Sequence, residues 1–413
     1  MGTHMGTEEI DVVVIGAGQA GLAVSHELAG AGVSHVVLER DTVGGSWSGR
    51  WDSFCLVTPN HTIRLPGGAY HGDDPDGFLP RDGIVRHMSD YAASFGAPVR
   101  TGVAVTSLRP RPDGLLDLHT SDDGAIRARV VIVATGAFQE QTRPAWVADV
   151  PRGLAVLDTA DYRNPRELPD GDVVIVGSGQ CGCQFAEELA LAGRRAVLAC
   201  GHAPWAPRRF GGRDLVDWLL EIGFFDQRLA ELPNPAARLW PSPQATGARG
   251  GHDLHTRTLQ GLGVGLAGHL TGIGEGRAVF ADDLADSVAW GDDRWADLRT
   301  GITRWSGAHG LPAPELPVPS PFDASTAVRE VQVRDIGAIV LTTGFHPAYR
   351  SWIEVPDAFD AAGYPLHTDG ASAVVPGLYF VGVHFMRKRK SALLVGVGED
   401  AAVVAGAVAE RLG

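Results

Sequence analysis

Two glycine triplets carry the most specific chemistry in this sequence: Gly16-Ala17-Gly18-Gln19-Ala20-Gly21 and Gly177-Ser178-Gly179-Gln180-Cys181-Gly182. A turn of this kind at the start of a helix presents backbone N–H groups, and the helix dipole favours negative charge there, so it binds pyrophosphate. The first glycine makes the tight turn, the second lets the backbone approach the phosphates, and the third lets helix and strand pack closely. Glu39 follows Gly16 by 23 residues, where an acid hydrogen-bonds a ribose 2'-hydroxyl. The same count from Gly177 reaches Cys200, while Arg194, Arg195, His202, Arg208 and Arg209 lie nearby. A missing acid with arginines at hand favours a 2'-phosphate, so the second turn is expected to take NADPH, with Arg208 and Arg209 at that phosphate.

Both triplets sit where the elements must place them. Residues 10–15 form a β-branched run before Gly16, 22–29 have helical composition, and 35–38 read as a second strand; residues 172–176, 183–192 and 196–200 repeat the pattern. Two further apolar runs end in Thr135-Gly136 and in Thr342-Thr343-Gly344, small residues that let a crossover pass beside a bound dinucleotide. Residues 377–382 read as a last strand and 391–412 as a helix whose start is directed at an electron-rich ring. The fold class expected is α/β with two Rossmann-like dinucleotide-binding domains, the second inserted into the first. Residues 8–160 and 318–413 would form the first, and 165–317, with a helical and irregular insert at 203–310, the second. Proline-rich stretches at 163–169 and 311–321 mark the boundaries.

Composition excludes other classes. Among 413 residues, 35 Lys and Arg stand against 49 Asp and Glu, a net charge of -14, which argues against nucleic acid and anionic membrane as partners. The apolar stretches 11–33 and 391–409 are interrupted by charged residues and cannot span a bilayer. Four cysteines point to a reducing cytoplasm. Cys181-x-Cys183 is one residue short of a redox pair, and His252-Asp253-Leu254-His255 lacks further ligands, so no metal is expected. Met1 to Met5 reads as an expression tag, with no signal peptide after it. The run Arg387-Lys388-Arg389-Lys390 reads as a cofactor- or substrate-facing loop. His384, Phe385 and Met386, beyond the last strand, and Trp205 and Trp218 are candidate substrate contacts. Glycine is in excess, 54 residues, and its dense stretch from Gly247 to Gly276 fits no motif.

With these residues in view the sequence resembles the class B flavin-dependent monooxygenases. The resemblance covers residues 10–410. It lies in both glycine turns, Gly44-Gly45-Ser46-Trp47 after Glu39-Arg40, Leu56-Val57-Thr58-Pro59-Asn60 and Ala134-Thr135-Gly136. A bacterial branch is marked by Pro207-Arg208-Arg209-Phe210-Gly211-Gly212-Arg213-Asp214 and by the stretch Arg389 to Asp400. The resemblance implies FAD in the first fold and NADPH in the second. NADPH would reduce the flavin, O2 would add to give a C4a-(hydro)peroxyflavin, and one oxygen atom would pass to a small organic substrate, at an amine or other heteroatom. Gly16, Gly18, Gln19, Ala20 and Gly21 would cradle the FAD pyrophosphate, Glu39 and Arg40 the adenosine end, and Gly45, Ser46 and Trp47 the flavin-side loop. Thr135, Gly136, Thr343 and Gly344 would line the dinucleotides, and Leu393 and Leu394 would offer N–H groups to the reduced flavin. The second turn, Gly177, Ser178, Gly179, Gln180 and Cys181, would hold NADPH. Thr58 and Asn60 at the isoalloxazine edge, with Tyr162, are the catalytic candidates. The family's G-x-x-x-H-x-x-x-Y motif is altered: aligned on Tyr162, Asp158 stands at the histidine position. That disfavours Baeyer-Villiger oxygenation, which stays an alternative beside a flavin or disulfide reductase and a flavoprotein sensor. A homodimer is left open.

Overall fold

The computed structural model describes residues 7–413, and the Met1 to Met5 segment lies outside them. Two parallel sheets repeat one plan. In the first, Leu378–Phe380, Ala125–Val133, Glu8–Ile15, Val36–Glu39 and Val99–Thr101 lie side by side. In the second the order is Ala155–Asp158, Ile336–Leu341, Asp172–Val176, Ala196–Ala199 and Gly265–Ala267. Each glycine turn follows the central strand of its sheet. Val12, Val13 and Val14, like Val173, Val174 and Ile175, are fully buried, since layers cover both faces. That is why these strands are unbroken apolar runs with no alternation.

Sheet pairing corrects the expected domain boundaries. Asp158 lies opposite Leu341, which in turn lies opposite Val176, so strands Ala155–Asp158 and Ile336–Leu341 both belong to the second sheet. The expected boundaries put residues up to 160 and from 318 onward in the first domain. Proline-rich stretches mark where the chain turns, but hydrogen-bond partners decide which sheet the next strand joins. The chain crosses between the sheets after Val133 and after Leu341. Where the two crossings meet, Glu140–Gln141 pairs antiparallel with Phe345–His346.

Around the second sheet, the helices Leu215–Glu221 and Leu284–Ala308 enclose an aromatic core of Trp205, Phe210, Trp218 and Trp295. Phe210 and Trp218 stack at 5.8 Å between centroids. This core accounts for much of the tryptophan in the insert, and it makes Trp205 and Trp218, both 6% exposed, packing residues before anything else. No helix among the described residues is long and apolar enough to cross a membrane.

Candidate functional site

Both glycine turns have the geometry that a pyrophosphate requires. Gly16 and Gly177 adopt φ of +103° and +109°, a left-handed conformation that a side chain would strain. A Cβ on Gly16 would also lie 2.9 Å from the Ala134 carbonyl oxygen, and one on Gly177 2.6 Å from that of Thr342. Gly21 and Gly182 are more crowded: a Cβ there would come within 1.8 and 1.9 Å of the carbonyl oxygens of Gly16 and Gly177. The middle glycines differ in kind. Gly18 and Gly179 have extended φ/ψ, and around their Cβ positions the nearest atom is 4.0 Å away. Nothing in the protein requires glycine at these two positions, and an added methyl would enter the space where a phosphate approaches the helix N-terminus. The residues present therefore fit a dinucleotide at each turn.

Several elements converge on the first turn. Glu39 is buried at the end of its strand, where its carboxylate accepts from Ala17 N–H (2.6 Å) and Asp41 N–H (3.0 Å). Gly44 N–H donates to the Ala17 carbonyl, which brings the Gly45–Ser48 helical turn against the glycines and sets Ser46 Oγ 4.0 Å from the Gly18 Cβ position. Gln19 grips two neighbours, accepting from Trp47 Nε1 (3.3 Å) and donating to the Ala392 carbonyl (3.2 Å). Ala20 packs where a Cβ on Gly382 would fall, 2.4 Å away. Thr58 is partly exposed on the segment leading to Arg64, whose N–H donates to the Leu394 carbonyl (3.1 Å). Arg40 points away into solvent, paired with Asp41.

At the second turn Ser178 does what Glu39 does at the first. Its hydroxyl donates to the Gly201 carbonyl and accepts from Gly201 N–H, joining the turn to the end of the Ala196–Ala199 strand. Gln180 grips the Ala245 backbone at both its N–H and its carbonyl. Cys181 and Cys183 lie within the helix Gln180–Leu191, and burial pushes both thiols up from their ordinary value, which disfavours thiolate chemistry.

The expected 2'-phosphate arginines are corrected. Arg208 is 2% exposed: Nε donates to Asp214 (2.9 Å), Nη1 to the Val57 carbonyl (2.7 Å), and the guanidinium lies 4.5 Å from the Phe78 centroid. Arg209 is exposed but spent on the carbonyls of Gly250 and Gly251. Arg194 is held by the carbonyls of Pro165, Leu168, Pro169 and Gly171. The group that does follow the strand end is His202, exposed and stacked on Trp290 with centroids 5.0 Å apart.

Five further candidates are also placed differently from expectation. Tyr162 is fully buried: its hydroxyl donates to Glu188 (2.9 Å) and its ring packs 4.1 Å from Phe185, so it touches no open site. Tyr162→Phe should cost roughly 1–3 kcal/mol by leaving Glu188 without this donor. It should leave kcat within about twofold, whereas a tenfold fall in steady-state assays would restore the catalytic role. Asn60, 2% exposed, spends its carboxamide on the Asp74 carbonyl (2.8 Å) and Leu79 N–H (2.7 Å), holding the loop in shape. Leu393 N–H is used by the Lys390 carbonyl (2.8 Å), and the terminal helix starts at Val397, because Ser391 Oγ closes a short 3-10 turn before it. Thr135 and Thr343 lend their hydroxyls to Gln139 and Gln141 in the crossings, whose Gly136 and Gly344 have φ of +70° and +88°. Asp158 pairs with Arg143 (2.9 Å).

What sequence reasoning missed is a strap over residues 240–253, which contains the start of the unexplained glycine stretch. Gln244 donates to the Ser178 carbonyl (2.5 Å) and Asp253 accepts from Arg208 N–H (2.6 Å). Glu187, on the helix of the second turn, holds His252 (2.6 Å) and Arg249 (2.8 Å). Gly247 runs so close to the first domain that a Cβ would lie 2.0 Å from the Leu56 carbonyl oxygen. The strap thus joins the second glycine turn to the Leu56 to Asn60 segment, and close backbone approach explains its glycine.

Comparison with known proteins agrees with this architecture. The pyridine nucleotide-disulphide oxidoreductase family model matches residues 13–214. An uncharacterised CzcO-like oxidoreductase of Geobacillus kaustophilus is 29% identical over 394 residues, 95% of this chain and 96% of the relative. Indole-3-pyruvate monooxygenase YUCCA1 of Oryza sativa is 29% identical over 189 residues, 45% of this chain and 46% of its own. Among solved structures, the flavin-containing monooxygenase of Stenotrophomonas maltophilia superposes with a TM-score of 0.64 at 20% identity. It covers 98% of this chain and all of that one, a likeness of fold. The motifs, the paired glycine turns and these relatives agree: residues 13–214 match the pyridine nucleotide-disulphide oxidoreductase family, and the chain is similar to flavin-dependent monooxygenases and related oxidoreductases.

Proposed function

We propose that this chain is an FAD- and NADPH-dependent monooxygenase acting at an amine or other heteroatom of a small organic molecule. The observation that carries the reading is the pair of glycine turns at whose middle positions, Gly18 and Gly179, no protein atom stands nearer than 4.0 Å to a Cβ position. FAD bound at the first turn would accept a hydride from NADPH and activate O2 for transfer of one oxygen atom. The chain's own part is positioning. Gly16 to Gly21 would bind the FAD pyrophosphate, Glu39, fixed by Ala17 N–H, would orient the adenosine ribose, and Gln19 ties Trp47 to Ala392 beside the turn. Gly177 to Gly182 bind the nicotinamide nucleotide. His202, supported by Trp290, stands at the strand end, where a 2'-phosphate is read.

The test is direct. Purified protein should carry FAD absorbance, be bleached anaerobically by NADPH, and incorporate label from 18O2 into product in an amine and sulfide panel. NADPH consumption that yields only hydrogen peroxide across the panel would overturn the monooxygenase reading. Label in an ester or lactone from a ketone would favour Baeyer-Villiger chemistry despite Asp158.

A further inference from the structure

The loop between the last strand of the first sheet and the terminal helix is anchored at both ends on the first glycine turn, through Gly382 against Ala20 and through Ala392 against Gln19. It carries four consecutive cations, and three of them are neutralised. Arg387 pairs with Asp369 (3.0 Å) and Asp400 (3.4 Å), while Lys388 and Lys390 both bridge Asp226 and Glu399 at 2.5–3.0 Å.

Arg389 is the exception. Among the described residues no carboxylate stands within 4.0 Å of its guanidinium. That group lies between the rings of Phe224 (4.2 Å) and Phe385 (4.7 Å), and its Nη2 donates to the Gln227 side chain (2.6 Å). Its Nε is buried with no partner at all. Burial pulls its pKa down to about 10, so it stays charged at neutral pH. A partly buried cation without a counter-ion is costly, and the group that completes such a site is an anion from outside the chain.

Two more features point the same way. Phe385, which covers the guanidinium, has φ of +57°, a strained conformation for a bulky residue, and strain of this kind collects at ligand clamps. Beside it His384 is held neutral by burial, its pKa down to about 4, and its ring faces Phe138, an aromatic left 60% exposed. The surroundings are therefore aromatic and apolar around a guanidinium that Gln227 satisfies at Nη2 alone.

We propose that Arg389, flanked by Phe224 and Phe385, recognises the substrate as an organic anion, a carboxylate joined to a planar apolar body. This rests on the reading of the first glycine turn as the FAD site. The guanidinium binds the carboxylate through the N–H groups that Gln227 leaves free, and the half-buried Phe224 and exposed Phe138 take up the body. Stacking explains arginine here, because a lysine would supply charge without the planar face.

Calorimetric titration with phenylacetate, and with phenylacetamide as its neutral match, tests this on the protein as isolated and after FAD is added. Phenylacetate should bind at least about tenfold more tightly than the amide. Arg389→Gln should remove that advantage while leaving amide affinity, FAD content and the KM for NADPH unchanged, and Arg389→Lys should recover part of it. Equal binding of acid and amide by the wild type, or no binding of either, overturns the proposal even if Arg389→Gln fails to fold. A rise in the KM for NADPH in Arg389→Gln, with phenylacetate affinity intact, also overturns it, since the cation then serves the nucleotide. Absence of FAD would sink the reading of the first turn, and the acid-to-amide ratio would still decide the anion site.

Discussion

Gly18→Ala should leave the chain folded and strip it of FAD, and Gly179→Ala should leave it folded and FAD-bound but unable to use NADPH. Both glycines have backbone angles that alanine adopts without strain, and the nearest atom to either Cβ position is 4.0 Å away. Loss of glycine freedom in the unfolded chain should even stabilise each variant by roughly 0.4–1 kcal/mol. The added methyl instead occupies the space that a pyrophosphate needs to reach the helix N-terminus. A loss of at least about a hundredfold in affinity, ~2.7 kcal/mol, is expected at the altered site. Flavin content after gel filtration and the KM for NADPH read the two effects, with urea unfolding as the control for folding. Gly21→Ala and Gly182→Ala are the contrast, since their Cβ atoms would overlap backbone carbonyls and destabilise the fold itself. A yellow Gly18→Ala protein with normal FAD affinity would refute the cradle.

Arg208→Met should cost about 3–5 kcal/mol of stability, the loss expected when one member of a buried ion pair is removed. Arg208 and Asp214 have side chains 2% and 9% exposed, so Asp214 would be left charged away from water. Its second oxygen caps the Leu215–Glu221 helix through Val216 N–H (2.9 Å) and cannot compensate for the missing guanidinium. The variant also frees the Val57 carbonyl, so FAD affinity should fall along with stability. Arg208→Met/Asp214→Leu should recover most of the stability and lack only the cap, worth ~1 kcal/mol. Urea midpoints with an unchanged m value measure this. A loss below about 1 kcal/mol would mean that the pair does not hold the insert to the flavin-side segment.

Much of the fold was legible because its signals are local. Two apolar strands, two glycine turns and the acid at the end of the second strand are contiguous patterns, and the structure places each where its pattern implies. The domain boundaries were less legible, because strands 155–158 and 336–341 look alike whichever sheet they join. The strap at 240–253 gave no signal beyond excess glycine, since the contacts that need it lie at Leu56, Phe78 and Ser178.

By itself the sequence determined that two dinucleotide-type sites exist, how each turn is built, and that the second lacks a ribose acid. These follow from backbone conformation over a few adjacent residues, which residue type controls directly. Only the tertiary structure decided which charged and polar side chains are free to meet a ligand. Arg208, Arg209, Asn60 and Tyr162 are of the right type and near the right turns. Each is consumed by a carbonyl, a carboxylate or a core contact supplied from elsewhere in the chain. Arg389, one of four like charges in a row, is the cation left without a carboxylate, because Asp226, Glu399, Asp369 and Asp400 pair with its three neighbours. Whether a charge is available depends on its partners, and those are brought together by folding.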